Sequence, residues 1–381
     1  RGGGGGEPGA GEEEDAPPAA GPGPRGEATA GPAGLAAEDA ALLAELRGRA
    51  AELEVQESEK AERIARNWRK GRARVGAVAS LDDWVRRVAL EGDDLFVGTA
   101  SSGVQHFRLG ERKPRQRLPV RGNADVGVPA DHQGQVDPET SVTSLTWDGR
   151  WLAAGLAGGR LHVWDADGVL VADATLPEQP SPCYVCLAEG ALVAASGSVL
   201  QRRRLAPITS APERAEAQAR LPCRAHCLAL APDGGFLLGL DDGSLEVRRA
   251  DLSLVARHQL HRQPVSAICA VEGGFVTGDA SGEVVRWRVD GAAAEGGCKA
   301  VWTARHDGRV VAIRVGGAQD IVTGALDGTV RTWSAEDGEP HFAVQGHKIW
   351  LGSICIMDDK GTMVTDGRDN AVYLYDFSSE G

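Results

Sequence analysis

Three groups of residues in this chain have types and spacings that could do chemistry: cysteines, histidine–carboxylate pairs and a set of arginines and tryptophans. Cys183-x-x-Cys186 and Cys223-x-x-x-Cys227 are spaced like metal ligands. Zinc requires four ligands converging at tetrahedral geometry. Cys183 and Cys186 fall in a segment that reads as a strand, where an odd separation sends them to opposite faces. They are predicted to be ordinary core cysteines, with no metal and no cofactor. His306 with Asp327, and His347 with Asp369, pair a base with an acid. Nucleophilic catalysis would also need an activated Ser or Cys and an oxyanion site. A similar spacing returns with His261 and Ser281, and an active site is not expected in triplicate. These residues are predicted to be structural, and no catalytic residue is assigned.

The third group is Trp350, Trp84, Arg86, Arg87, Arg202 and Arg248, with Arg203, Arg204 and Arg249 beside them. Aromatic side chains near guanidinium groups are the composition enriched at binding hot spots. Guanidinium groups also bind carboxylate and phosphate in bidentate fashion. The set predicts contact with a protein or peptide, acidic or phosphorylated, through Trp350, Trp84 and the Arg86/Arg87 pair. Arg202 and Arg248 are expected to extend a basic patch near the centre. Gly-rich turns such as Gly158-Gly159 do not open helices, so no helix-terminal phosphate cradle is expected.

The elements that must position these residues come from internal repetition. Val322-Thr323-Gly324-Ala325-Leu326-Asp327-Gly328-Thr329-Val330-Arg331-Thr332-Trp333 matches Phe275 to Trp287, with weaker copies at 152–164, 237–248 and 363–375. Each copy is a short strand, a tight Gly/Asp turn and a second strand. All-β repeats spaced by roughly 40 residues are the signature of propeller blades. Aligning on the residue that closes the third strand gives Phe107, Trp164, Arg202, Arg248, Trp287, Trp333 and Tyr375, hence seven units. Residues 121–138 read as a surface loop, and residues 207–220 as a helical turn or a mobile stretch.

The last three units resemble WD40 repeats. The sets are His261, Thr277, Ser281 and Trp287; His306, Thr323, Asp327 and Trp333; and His347, Thr365, Asp369 and Tyr375. Buried polar groups need partners. A His can bridge a turn carboxylate and a Thr hydroxyl that also takes the indole N–H, which pins the turn to its blade. Units two to four depart from this, with Pro138 and Pro222 read in the His place and Arg202 and Arg248 in the aromatic place. They are expected to rely on apolar packing. The resemblance covers about residues 73–377 and implies an all-β, seven-bladed WD40-type propeller. The seventh unit stops after its third strand, so the segment 73–79 is predicted to supply its outer strand and close the ring.

The organisation read from the sequence is a disordered tail over residues 1–34, a helical extension over 35–71 and a propeller over 72–381. The tail is Gly, Ala, Pro and Glu, with too little apolar surface to offset its ordering entropy. The extension is rich in Ala, Leu, Glu and Arg, with i,i+4 pairs such as Glu45/Arg49, and Gly71 reads as its stop. It suits a docking helix, a short coiled coil or a helix leaning on the propeller. Arg66-Asn67-Trp68-Arg69-Lys70-Gly71 resembles the linker between an F-box and the propeller in F-box/WD proteins. The F-box motif itself, a Leu-Pro start and a later Cys-x-x-Trp, is not in the chain.

The net charge is −13, which argues against nucleic acid. No apolar run reaches the length of a membrane span. Seven cysteines do not make a disulfide framework, so an intracellular protein, cytoplasmic or nuclear, is expected. A targeting segment upstream of Arg1 is left open. The expected function is a non-enzymatic interaction scaffold. The alternatives are the substrate-recognition subunit of an F-box-type ubiquitin ligase and a propeller enzyme. An enzyme would need carboxylate or His clusters at the channel mouth, and the sequence offers none.

Overall fold

A computed structural model of the chain describes residues 32–120, 140–177, 180–188, 190–205, 215–289, 297–317, 319–345, 351–357, 359–366 and 370–379. The side chains of 32–39 and 345 are outside that description. So are the tail before residue 32, the loop 121–138, and His347, Trp350 and Asp369.

The first element is the helix α1 (Pro32–Arg69), which begins three residues before the expected start at residue 35. Contacts divide the chain at Glu57 into two compact units. In the first, the helix leaves Leu42, Leu43, Leu46, Leu53 and Val55 exposed and carries the Glu45–Arg49 ion pair at 2.8 Å. The second unit, from Ser58 on, holds the last turns of α1 and every strand. Gly71 ends the helix at φ +63°, a left-handed conformation that glycine adopts without steric cost. Arg72 N–H then bonds back to the Asn67 carbonyl at 2.9 Å.

Among the described residues, twenty-eight strands follow, in seven four-stranded antiparallel sheets. Six sheets are sequential meanders. The seventh combines Ile354–Met357, Thr362–Asp366 and Ala371–Asp376 with β1 (Arg74–Ser80), which lies outermost. Arg74 pairs with Asp376, Val75 with Tyr375 and Ser80 with Ala371. The ring is closed by its N-terminal strand, as the short seventh repeat implies. All seven residues used to align the repeats lie on third strands.

The first strand of each blade lines the centre, and the hydrophobic cores sit between blades. Leu351 and Ile354 of blade seven, for example, cluster with Val322 and Val330 of blade six. Close blade approach is set by small residues on the second strands. A Cβ on Gly324 would lie 2.0 Å from a Leu351 methyl, and one on Gly278 2.5 Å from Val310.

One insertion read from the sequence changes. Ala217–Arg220 is the outer strand of blade three, paired with Val199–Arg202, rather than a helical turn or a mobile stretch. Its alternation of half-buried Ala217 and Ala219 with exposed Gln218 and Arg220 is a period-2 pattern that the Ala/Glu/Arg composition of the whole segment hid. Residues 206–214 lie outside the described residues.

The last turns of α1 fasten the ring closure. Trp68 is fully buried against Phe377, with ring centroids 4.1 Å apart. Asn67 Nδ2 donates to the carbonyls of Phe377 and Ser379 at 2.9 and 3.0 Å, and Arg63 Nε to that of Ser378 at 3.1 Å. Ile64 lies over Gly361. The Asn67-Trp68 pair that prompted the F-box linker resemblance thus has a structural task on this propeller.

Candidate functional site: the mouth of the central channel

The histidine–carboxylate pairs are built into the blades. In blade six Trp333 Nε1 donates to Thr323 Oγ1 at 2.8 Å, Thr323 Oγ1 lies 2.7 Å from His306 Nε2, and His306 Nδ1 lies 3.1 Å from Asp327 Oδ2. Burial pushes the His306 imidazole below its ordinary value, with Asp327 opposing. Burial would raise the Asp327 carboxyl, but hydrogen bonds from the Thr329 hydroxyl and amide and the Asp307 amide outweigh it and hold it low. A neutral imidazole between an ionised carboxylate and a hydroxyl has both ring nitrogens committed, and the one hydroxyl it meets, that of Thr323, is fully buried and already accepts the Trp333 indole N–H.

Blade five repeats the relay with one correction. His261 Nε2 lies 2.6 Å from Thr277 Oγ1, which takes the Trp287 indole N–H at 2.8 Å. His261 Nδ1 faces Glu283 at 3.0 Å and Asp279 at 3.4 Å, not Ser281. Ser281 donates its amide and hydroxyl to Asp279 instead, both at 2.8 Å. His261, Asp279 and Glu283 bring ligand-type atoms within 4.8 Å of one another. Asp279 Oδ1 is already filled by Ser281 and by the Glu283 amide at 3.0 Å, so the cluster reads as the blade-five version of the relay. In blade seven Thr365 and Tyr375 are buried, while His347 and Asp369 lie outside the described residues.

In the earlier blades the pair is aliphatic. Leu81 with Val97, Val120 with Ala154, Leu176 with Ala194 and Leu221 with Leu238 occupy common clusters. Two positions read from the sequence shift by one residue. The His place of blade four belongs to Leu221, whose N–H bonds to Ser198 at 2.8 Å as His306 N–H bonds to Gly282, and not to Pro222. In blade three Arg203 pairs with Leu192, as Trp333 pairs with Ile321, so Arg203 rather than Arg202 stands in the aromatic place.

The arginine and tryptophan set divides in two. Arg202 and Arg248 sit late on third strands, which run away from the turns that precede them, and neither lines the channel. Arg248 is buried and committed, with Nε 2.8 Å from Glu246 and Nη1 2.7 Å from the Leu252 carbonyl. It is a buried cation where five of the other blades carry an aromatic, not part of a surface patch. Cys183 and Cys227 are buried and Cys186 is partly so, and burial pushes each of these thiols up to about 12.

Trp84, Arg86 and Arg87 come together. Asp83 accepts from the amides of Ser101 and Ser102 at 2.8 and 2.7 Å, and Ala100 N–H bonds to the Trp84 carbonyl at 2.9 Å. This fixes the backbone at Trp84, whose side chain remains 43% exposed. The strand β2 (Val85–Glu91) follows, with a bulge between Val85 and Arg87. A bulge leaves one residue unpaired and re-aims its side chain. The same bulge recurs at Thr143, His226, Ser266 and Val311 on other inner strands, and all of these line the channel with Arg86.

The channel encloses about 510 Å3 and also holds Arg87, Tyr184, Arg309 and Arg314. Burial pushes the Arg87 guanidinium down, and Arg86 adds to this. Asp366 lies behind the mouth, its oxygens taking the Gly352 and Ser353 N–H groups at 2.6 and 2.8 Å. Burial drives its carboxyl up to about 8. Sequence reading missed Tyr184, His226, Arg309 and Asp366. The signal was positional, since Arg309 and His226 stand at the start of an inner strand, as Arg86 does.

A family model described as "WD domain, G-beta repeat" matches residues 131–165. The chain is a seven-bladed β-propeller with one segment that matches a WD40 repeat. The match falls on blade two, which keeps Trp164-Asp165 at the end of its third strand, and not on the blades with the His relays. No curated protein sequence matches the chain significantly. Among solved structures, the β-propeller domain of Cps50 (Swd1) from Myceliophteria thermophila is 14% identical, with a TM-score of 0.63, covering 80% of this chain and 99% of that one. The computationally designed Ika8 protein is 16% identical, with a TM-score of 0.55, covering 79% and 99%. As 1722 solved chains match, this likeness speaks for the fold alone.

Proposed function

We propose that this propeller is a non-enzymatic interaction scaffold that receives a protein or peptide on the face bearing Trp84 and the channel mouth. The observation that carries this reading is an exposed, backbone-anchored Trp84 beside the Arg86/Arg87 pair. A rigid aromatic beside cations is the composition of an interface hot spot. An enzyme reading has no comparable support, because among the described residues the His306–Asp327 and His261–Asp279 pairs are engaged within their blades. The ubiquitin-ligase version rests on the Asn67-Trp68 stretch, which fastens the ring. Seven cysteines without a disulfide suit a reducing compartment, cytoplasmic or nuclear. No helix among the described residues is long and apolar enough to cross a membrane.

The test is affinity capture followed by mass spectrometry with the wild type, Trp84→Ala and Arg202→Ala. Partners held by the wild type are expected to be lost with Trp84→Ala and kept with Arg202→Ala, which lies toward the other end of its blade. Equal retention by both variants overturns the assignment of the face.

A further inference from the structure

The chain carries a net charge of −13, yet the lining of its central channel has four arginines, one histidine and no Asp or Glu among the described residues. An acidic protein with a purely cationic cavity concentrates charge against its own average. The concentration is local. Arg86 and Arg87 come from blade one, Arg309 from blade six and His226 from blade four, and Tyr184 of blade three lies within electrostatic reach of both Arg87 and Arg309.

Two carboxylates, Asp241 and Asp366, border this charge and offset it only in part. Asp241 is held by His226 Nε2 at 2.6 Å. Asp366 is buried, with both oxygens on the Gly352 and Ser353 amides, and lies within electrostatic reach of Arg86 and Arg87. Arg309 reaches only the ring nitrogen of His226, at 3.4 Å. Packing guanidinium groups together in a partly dry cavity costs free energy through mutual repulsion and desolvation. An anion entering among them relieves both.

We infer that the channel mouth is an oxyanion site, formed by Arg86, Arg87 and Arg309 with Tyr184 and His226, that takes one phosphate or carboxylate group. Guanidinium donors match these planar or tetrahedral oxygens in bidentate geometry. Roughly 300–1,000 Å3 is the usual size of a ligand pocket, so the channel has room for the group and the atoms that carry it. This deepens the reading of the Trp84 face as a docking surface, because Trp84 precedes Arg86 by two positions on that face. The anion has two possible sources, a side chain of the docked partner or a free small phosphate.

The experiment is isothermal titration calorimetry on the full chain at fixed ionic strength. The probes are inorganic phosphate, a short phosphoserine peptide and its unphosphorylated twin. Binding of phosphate or of the phosphopeptide is expected, weakened about tenfold or more by Arg309→Gln through loss of a charge-assisted contact. Arg86→Gln provides a second reading should Arg309→Gln fail to fold. Equal binding of the two peptides with no heat from phosphate, no heat from any probe, or heat unchanged in the folded variants overturns the inference. Binding of the phosphopeptide alone assigns the source to a partner side chain, and binding of phosphate alone to a free anion. Partner capture lost with Trp84→Ala but no anion binding leaves the docking face standing and removes only the channel site. Anion binding with capture unaffected by Trp84→Ala does the reverse.

Discussion

His306 shows how one side chain can resemble a catalytic base and serve as a fastener. Its two nitrogens face Thr323 and Asp327, and its surroundings keep it neutral. Asp327→Ala removes the carboxylate that accepts from the Thr329 hydroxyl at 2.7 Å and from the Asp307 amide at 3.0 Å. A loss of about 1–3 kcal/mol is expected from groups left unsatisfied, measured by denaturant unfolding. The relay also has a pH signature. Because the folded pKa of His306 lies below its ordinary 6.5, the unfolded chain takes up the proton first. The stabilisation is full above pH 6.5 and is lost as pH falls through and below that value. Asp327, depressed from 3.8, adds a further loss as pH falls below 3.8. The melting-temperature difference between the wild type and His306→Gln is therefore expected to shrink as pH is lowered from 8 to 5.

At the scale of elements, the helix end and β1 act as one clasp. Trp68→Ala is expected to cost about 3–5 kcal/mol, as for other buried large-to-small changes. Gly317 tests the same contact from the other side. Its φ is +60°, and a Cβ there would lie 2.1 Å from Trp68 Cγ. Gly317→Val is therefore expected to destabilise the fold and to blue-shift less of the tryptophan emission, since Trp68 is displaced towards water. Much of this architecture was legible in the sequence. The seven third strands and the closing strand followed from a turn motif that repeats and from a final blade one strand short. The Trp68 clasp was not legible, because its partners lie at the far end of the chain and Asn67 donates to backbone carbonyls, which leave no mark on sequence. The channel cluster was half legible. Arg86 and Arg87 stand out as a pair, whereas Arg309, Tyr184 and His226 are single residues brought together only by closure of the ring. Arg248 misled for the opposite reason, since an isolated Arg gives no sign that Glu246 two residues earlier shares its pocket.

For the molecule as a whole, closure decides whether there is a free sheet edge. Without β1, the strand Ala371–Asp376 would present unpaired N–H and C=O groups, a template for pairing with another chain. A chain truncated after Ser80 is expected to form oligomers by light scattering, and a monodisperse monomer with an unchanged melt would contradict this. The clasp also sets an order in time. Asn67 and Phe377 are 310 positions apart, so during synthesis β1 emerges long before its partner has been made. Six blades can be completed as the chain lengthens, each from local hairpins that form quickly. The seventh, and with it the channel mouth that draws on blades one, three, four and six, waits for translation to reach Phe377. Until then β1 is a strand without its partner, so the closing sheet is the part of the ring formed last.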